Sequence, residues 1–128
     1  MSGESQPRPA LRAALDLYAA IRDNRPGDIA ALTTPDVLCF PLTRPGRSKY
    51  EGHHGMSNLA RDIHAAYGNY TITIIEATEH PGPMITIQAR LTPQRGHGLP
   101  FTVTTTYTFR NDLIATIDSS PDSTHPSP

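Results

Sequence analysis

The chain of 128 residues has no tryptophan and a single cysteine, Cys39. One cysteine closes no internal disulfide, so a reducing, cytoplasmic setting is expected. An excess of charge of one sign is also missing. Eleven Lys and Arg stand against twelve Asp and Glu, and the net charge of −1 offers no field for nucleic acid or an anionic membrane. The one local basic run, Arg44, Arg47 and Lys49, lies in a Pro/Gly loop and reads as a solvated turn. No stretch approaches 18 consecutive apolar residues, and the first nine residues are polar with two prolines. Neither a transmembrane helix nor a signal peptide is expected. The chain also lacks C-x-x-C and H-x-x-x-H spacings, a G-x-S-x-G elbow, a phosphate loop and a dinucleotide fingerprint. No metal and no cofactor are therefore expected.

What is present suits one packed domain, because 37% apolar residues can supply a core at this length. Residues 1–8 and 121–128 are Pro- and Ser-rich and read as disordered tails, leaving a domain over 9–120. Helical spacing runs from Pro9 to Asp23 through Leu11, Ala14, Leu15, Tyr18 and Ile21. A second short helix is predicted from Asp28, as N-cap, to Thr34, where Pro35 stops it. A strand, Val37 to Leu42, and a turn at Arg44-Pro45-Gly46 follow. A third helix is expected from His54 to Tyr67, with Met56, Leu59, Ile63 and Tyr67 on one stripe and Gly68 after it. Beyond Gly68 β-branched residues dominate, and the spacing predicts strands over 69–79, 84–92, 99–110 and 113–120. Short turns between them imply an antiparallel meander. The result is an α+β domain whose three helices, all in the N-terminal half, cover the concave face of a curved antiparallel sheet.

Three stretches in this order, Leu17-Tyr18-Ala19-Ala20-Ile21 with Gly27-Asp28-Ile29-Ala30-Ala31-Leu32, then Tyr50-Glu51-Gly52-His53-His54-Gly55-Met56, then Tyr107 to Ile114, resemble the SnoaL-like branch of the nuclear-transport-factor-2-like superfamily. That cone-shaped fold houses ketosteroid isomerases, limonene epoxide hydrolases and small polyketide cyclases. The resemblance implies an active site inside the cone, walled by the first and third helices and the sheet's concave face.

The apolar parity of the strand over 99–110, Phe101, Val103, Thr105, Tyr107 and Phe109, is expected to face that interior. In the last strand Leu113, Ala115, Ile117 and Ser119 share the expected parity, which a bulge would exchange. With Leu15, Cys39, Phe40, Met56, Leu59 and Ile63 they make a mainly apolar wall for a greasy or polycyclic small molecule. Tyr18 matches the helix-one tyrosine that donates to the substrate oxyanion in ketosteroid isomerases; the alternative is a core tyrosine bonded to a backbone carbonyl. The isomerase's base would fall at Phe40 and its second oxyanion donor at about Thr105, and neither side chain can take those roles. The hydrolase pattern reduces to Arg90 with Asp118, provided that a bulge turns Asp118 inward. His53 and His54 either cap the entry of the third helix or shuttle a proton at the cone mouth. Cys39 reads as a buried thiol, and His64, His80, His97 and His125 as surface residues.

Three functions remain open. One is a cofactor-independent cyclase, isomerase or lyase acting on a polyketide-like or other secondary-metabolite intermediate. The second is a hydrophobic-ligand-binding module, and the third a dimeric scaffold. High Pro, Arg and Ala usage hints at a bacterial source. Ile72, Ile74, Thr102, Thr104 and Thr106 are expected on an uncovered outer sheet face, through which a homodimer would form.

Overall fold

Helix α1, Pro9–Arg22, buries Ala14, Leu17 and Ala20, three residues that recur at helical spacing and so form one stripe. In the computed structural model, which describes residues 9–41, 49–82 and 84–121, a short turn leads from it to α2, Pro26–Leu32. Arg25 occupies the N-cap position. Asp28, the expected cap, lies inside the first turn and pairs with Arg25 at 2.9 Å. A carboxylate there still complements the helix dipole.

The second helix ends two residues earlier than expected, and the strand after it begins at once: β1 is Thr33–Phe40. The Thr33 hydroxyl donates to the Ile29 carbonyl at 2.8 Å, satisfying one of the free carbonyls of the helix end. Pro35 then favours an extended Thr34, so the residues that were expected to close the helix open the strand instead. A two-residue strand, β2 (Tyr50–Glu51), precedes α3, Gly52–Tyr67, and had no counterpart in the pattern reading. The expected tail at 1–8, the expected tail at 121–128 with His125 but without Pro121, which ends the last strand, and the turn at Arg44-Pro45-Gly46 lie outside the described residues.

Strands β3 (Thr71–His80), β4 (Met84–Thr92), β5 (Phe101–Arg110) and β6 (Leu113–Pro121) form the expected antiparallel meander. The sheet order is β2-β1-β6-β5-β4-β3. One pairing differs from expectation: β1 runs parallel to β6, so the curved, unclosed sheet is mixed. The helical passage between β1 and β3 lets the chain cross over and leaves β1 to pair with the last strand.

Register decides which residues face inward. Ile85, Tyr107, Ile117 and Cys39 stand side by side across β4, β5, β6 and β1, and Ile87, Thr105 and Ser119 form the next row. The rows pack beneath α1 and α3 in one core with Leu17, Met56 and Leu59. A register shift after Thr108 pairs Phe109 with Ile114, so Ile114 is fully buried and the expected inward residues Leu113 and Ala115 are displaced. A second irregularity lies between Ile74 and Glu76. Ile72 and Ile74, expected on the outer face, pair with Leu91 and Ala89 and lie on the helix-covered side. Threonines dominate the outer face, where Thr86 meets Thr106 at 3.2 Å and Thr108 bonds Thr116.

Candidate functional site

Between α1, α3 and the concave sheet lies a cavity of about 110 Å³. Helix α1 contributes Leu17, Tyr18 and Ile21, and α3 contributes Leu59, Ile63 and Tyr67. The sheet supplies Ile72, Ala89 and Leu91, then Phe101, Val103, Thr105 and Tyr107, then Ile117 and Ser119, with Cys39, Pro41 and Tyr70 completing the wall. None of these described lining residues carries a carboxylate, an imidazole, an ammonium or a guanidinium. Such a surface favours an uncharged ligand, because a charge leaving water here finds no partner among the described lining residues.

Hydroxyl groups are the polar features of the wall. Thr105 and Ser119, paired in register across β5 and β6, share a hydrogen bond of 3.0 Å. The Tyr18 and Tyr107 rings meet edge to face, with centroids 6.0 Å apart. The Tyr18 hydroxyl oxygen is buried and completes no hydrogen bond. Leaving a buried hydroxyl unpaired costs about 1–3 kcal/mol by mutational data. A buried donor of this kind facing a cavity calls for an explanation, and an acceptor inside the cavity would supply its missing bond. Burial raises the Tyr18 phenol above its ordinary 10.0, while the nearby Tyr107 and Thr105 hydroxyls partly offset that rise. Tyr107, more deeply buried, is raised well above 10.0 as well. Both phenols are neutral around pH 7, so Tyr18 can donate a hydrogen bond and cannot serve as a base. Burial likewise pushes the Cys39 thiol up to about 12, which makes it a poor nucleophile.

Several expected site residues stand elsewhere. The His53 ring, at the start of α3, donates from Nε2 to the Thr33 carbonyl at 3.1 Å; it ties the helix entry to β1 and does not line the cavity. His54 is exposed. Asp118 lies between the lining residues Ile117 and Ser119 and, by the pleat, on the opposite face, beside Thr106 and Phe40. Arg90 is exposed on that outer side too, so the Arg90–Asp118 pair of the hydrolase pattern does not assemble in the cavity. Phe40 is 39% exposed. Met56 is buried in the core without reaching the cavity, and Leu15 borders a shallow groove between α1 and β3.

Pattern reading left Leu17, Ile21, Tyr67, Tyr70, Ile72, Ala89, Leu91 and Pro41 out of the candidate wall. Ala89 and Leu91 share the β4 alternation with Ile85 and Ile87, Ile21 shares the α1 stripe with Tyr18, and Tyr67 shares the α3 stripe, so four of them had a usable signal. Tyr70 and Pro41 sit just outside regular elements, where no periodicity marks them.

The sequence profile of the SnoaL-like domain matches residues 14–117. The chain belongs to the SnoaL-like family. The matched segment spans Tyr18, α3 and all of the cavity-lining strand residues except Ser119. Among solved structures, TerC co-crystallised with polyporic acid aligns with a TM-score of 0.76 at 20% identity, covering 91% of this chain and 93% of that one. A protein from Sinorhizobium meliloti assigned as a polyketide cyclase gives 0.72 at 17% identity, covering 94% and 100%. One from Kribbella flavida assigned as a ketosteroid isomerase gives 0.70 at 15%, covering 94% and 83%. At such identities these likenesses establish the shared nuclear-transport-factor-2-like fold. No curated protein sequence matches the chain. None of the described helices is long and apolar enough to cross a membrane.

Proposed function

We propose that this SnoaL-like domain is a cofactor-independent cyclase, isomerase or lyase whose substrate is an apolar small molecule with a carbonyl or enol oxygen. The observation that carries the reading is the buried, unpaired Tyr18 hydroxyl in a cavity whose described lining is otherwise apolar or hydroxylic. A carbonyl oxygen placed against Tyr18 takes up the missing hydrogen bond. As that oxygen gains negative charge, the bond strengthens, and one such donor in a dry site is worth about 3 kcal/mol of barrier. The carbon-bound proton passes to water or to a second oxygen of the substrate, since none of the described lining side chains is basic near pH 7. His53, His54 and Asp118, expected as proton carriers, have no part in this scheme because they stand off the cavity. The rest of the rate comes from holding the substrate in a reactive shape.

The same shortage of basic groups favours a second reading, a domain that binds such a molecule without converting it. Comparative metabolite profiling of the host strain separates the two. The gene is deleted, then restored as wild type or as Tyr18→Phe. An isomer or shunt product that wild type clears and Tyr18→Phe leaves in place supports the enzyme. An unchanged profile refutes it and leaves the binder. A bacterial, cytoplasmic homodimer joined through the outer sheet face belongs to the same reading. The lone buried Cys39 suits a reducing compartment, and the half-exposed Phe40 suits a face awaiting cover.

A further inference from the structure

The cavity is small for a polycyclic ligand. At about 110 Å³ it is of the order of the roughly 150 Å³ engineered apolar cavity that admits one benzene ring. Part of its wall is a half-buried aromatic pair. Tyr67 is the last residue of α3 and Phe101 the first of β5, and their ring centroids lie 5.5 Å apart. Both are anchored by backbone. The Tyr67 carbonyl accepts from the Gln94 N–H at 2.9 Å, and Phe101 pairs in register with Leu91. The two rings thus stand on backbone held by α3 and β5, outside any loop. Phe101 and Thr105 lie four residues apart on β5, about 13 Å along the strand. The cavity consequently has a hydroxyl end, with Tyr18, Thr105 and Ser119, and an aromatic end.

We propose that Tyr67 and Phe101 restrict the cavity to an uncharged, single-ring ligand whose one carbonyl, enol or phenol oxygen meets Tyr18. This rests on the reading above that the Tyr18 cavity is the ligand site, and it narrows the substrate class. A second fused ring is excluded by the aromatic wall. An ionised ligand is excluded because the described wall offers no counter-charge.

The test is an NMR titration of isotope-labelled protein at pH 7 with phenol, 2-naphthol and benzoate. Burial of apolar area alone would make 2-naphthol the tighter ligand. The expected order is the reverse: phenol binds, and 2-naphthol and benzoate bind at least about tenfold more weakly, with 1.4 kcal/mol per tenfold. Phe101→Ala, or the milder Phe101→Val, brings 2-naphthol to the affinity of phenol or beyond, and Tyr67→Leu acts in the same direction. Wild-type binding of 2-naphthol as tight as that of phenol overturns the size limit and leaves the proposed function standing. Equal binding of benzoate overturns the charge limit in the same way. A folded variant of each residue that leaves the order unchanged overturns the assignment to Tyr67 and Phe101. Failure of all three probes to bind wild type overturns this proposal and the ligand site together.

Discussion

At the scale of single residues, Tyr18 separates function from stability. Its ring packs against Tyr107 whether or not the hydroxyl is present, and that hydroxyl is unpaired. Tyr18→Phe removes an unpaid desolvation cost and leaves the ring contact. Its unfolding free energy is expected to stay within about 1 kcal/mol of wild type or to rise, measured by urea denaturation. Ligand affinity or turnover falls at least about tenfold in the same protein. A loss of several kcal/mol in stability would instead mark Tyr18 as a structural core residue.

Cys39 makes a second residue-scale prediction. Its folded-state value of about 12 lies above the ordinary 9.0, so the fold favours the neutral thiol. A raised folded-state value contributes stability that is whole below the unfolded value and is lost as pH climbs toward the folded one. The urea midpoint should therefore hold steady through neutral pH and fall above about pH 9. Tyr18, Tyr70 and Tyr107, all raised from 10.0 by burial, add losses of the same sign at higher pH. Cys39→Ala should flatten the first part of the fall. A midpoint that rises with alkali would contradict the buried thiol.

At the scale of elements, the α3 terminus positions the aromatic end of the cavity. Gly68 follows Tyr67 with φ of 66°, the left-handed region where glycine carries no steric penalty. Its Cα also faces Gln94 so closely that an added Cβ would collide with the Gln94 side chain. That side chain accepts from the Asn69 N–H at 2.9 Å, closing the turn onto the β4–β5 connection. Gly68→Ala adds backbone strain and the collision together, and should cost about 2 kcal/mol. Thermal unfolding measures this, and Gly68→Asn should recover none of it, because its larger side chain meets the same obstacle.

Local pattern served some elements better than others. The alternation in β5 was legible because period-two spacing needs no knowledge of the partner strand. Thus Phe101, Val103, Thr105 and Tyr107 were assigned to the interior, and they line the cavity. On β6 the parity held for Ile117 and Ser119, while a register shift brought Ile114 inward in place of Leu113 and Ala115; on β3 the pairing puts Ile72 beside Leu91, on the covered side and not the outer face. A bulge is a property of two paired strands, and neither strand announces it alone.

At the scale of the whole molecule, the outer sheet face carries the expectation of self-association. A homodimer would give a light-scattering mass of twice 13.9 kDa at micromolar concentration. Phe40→Arg, which puts a charge at the exposed position beside Asp118 in register, should shift the population toward monomer. A wild-type mass of 13.9 kDa would refute the dimer.

The sequence by itself determined the element types, the single core, the SnoaL-like resemblance and the prominence of Tyr18, since each rests on local spacing or on short motifs. Only the tertiary structure decided which candidates share one space. It put Tyr18, Thr105 and Ser119 around the cavity, sent His53 to the Thr33 carbonyl, and left Asp118 on the far side of the sheet. It also set Tyr67 against Phe101 in the cavity wall. The physical reason is that convergence depends on strand register and on the parallel β1–β6 pairing, which join residues about eighty positions apart. No local periodicity encodes a contact of that span.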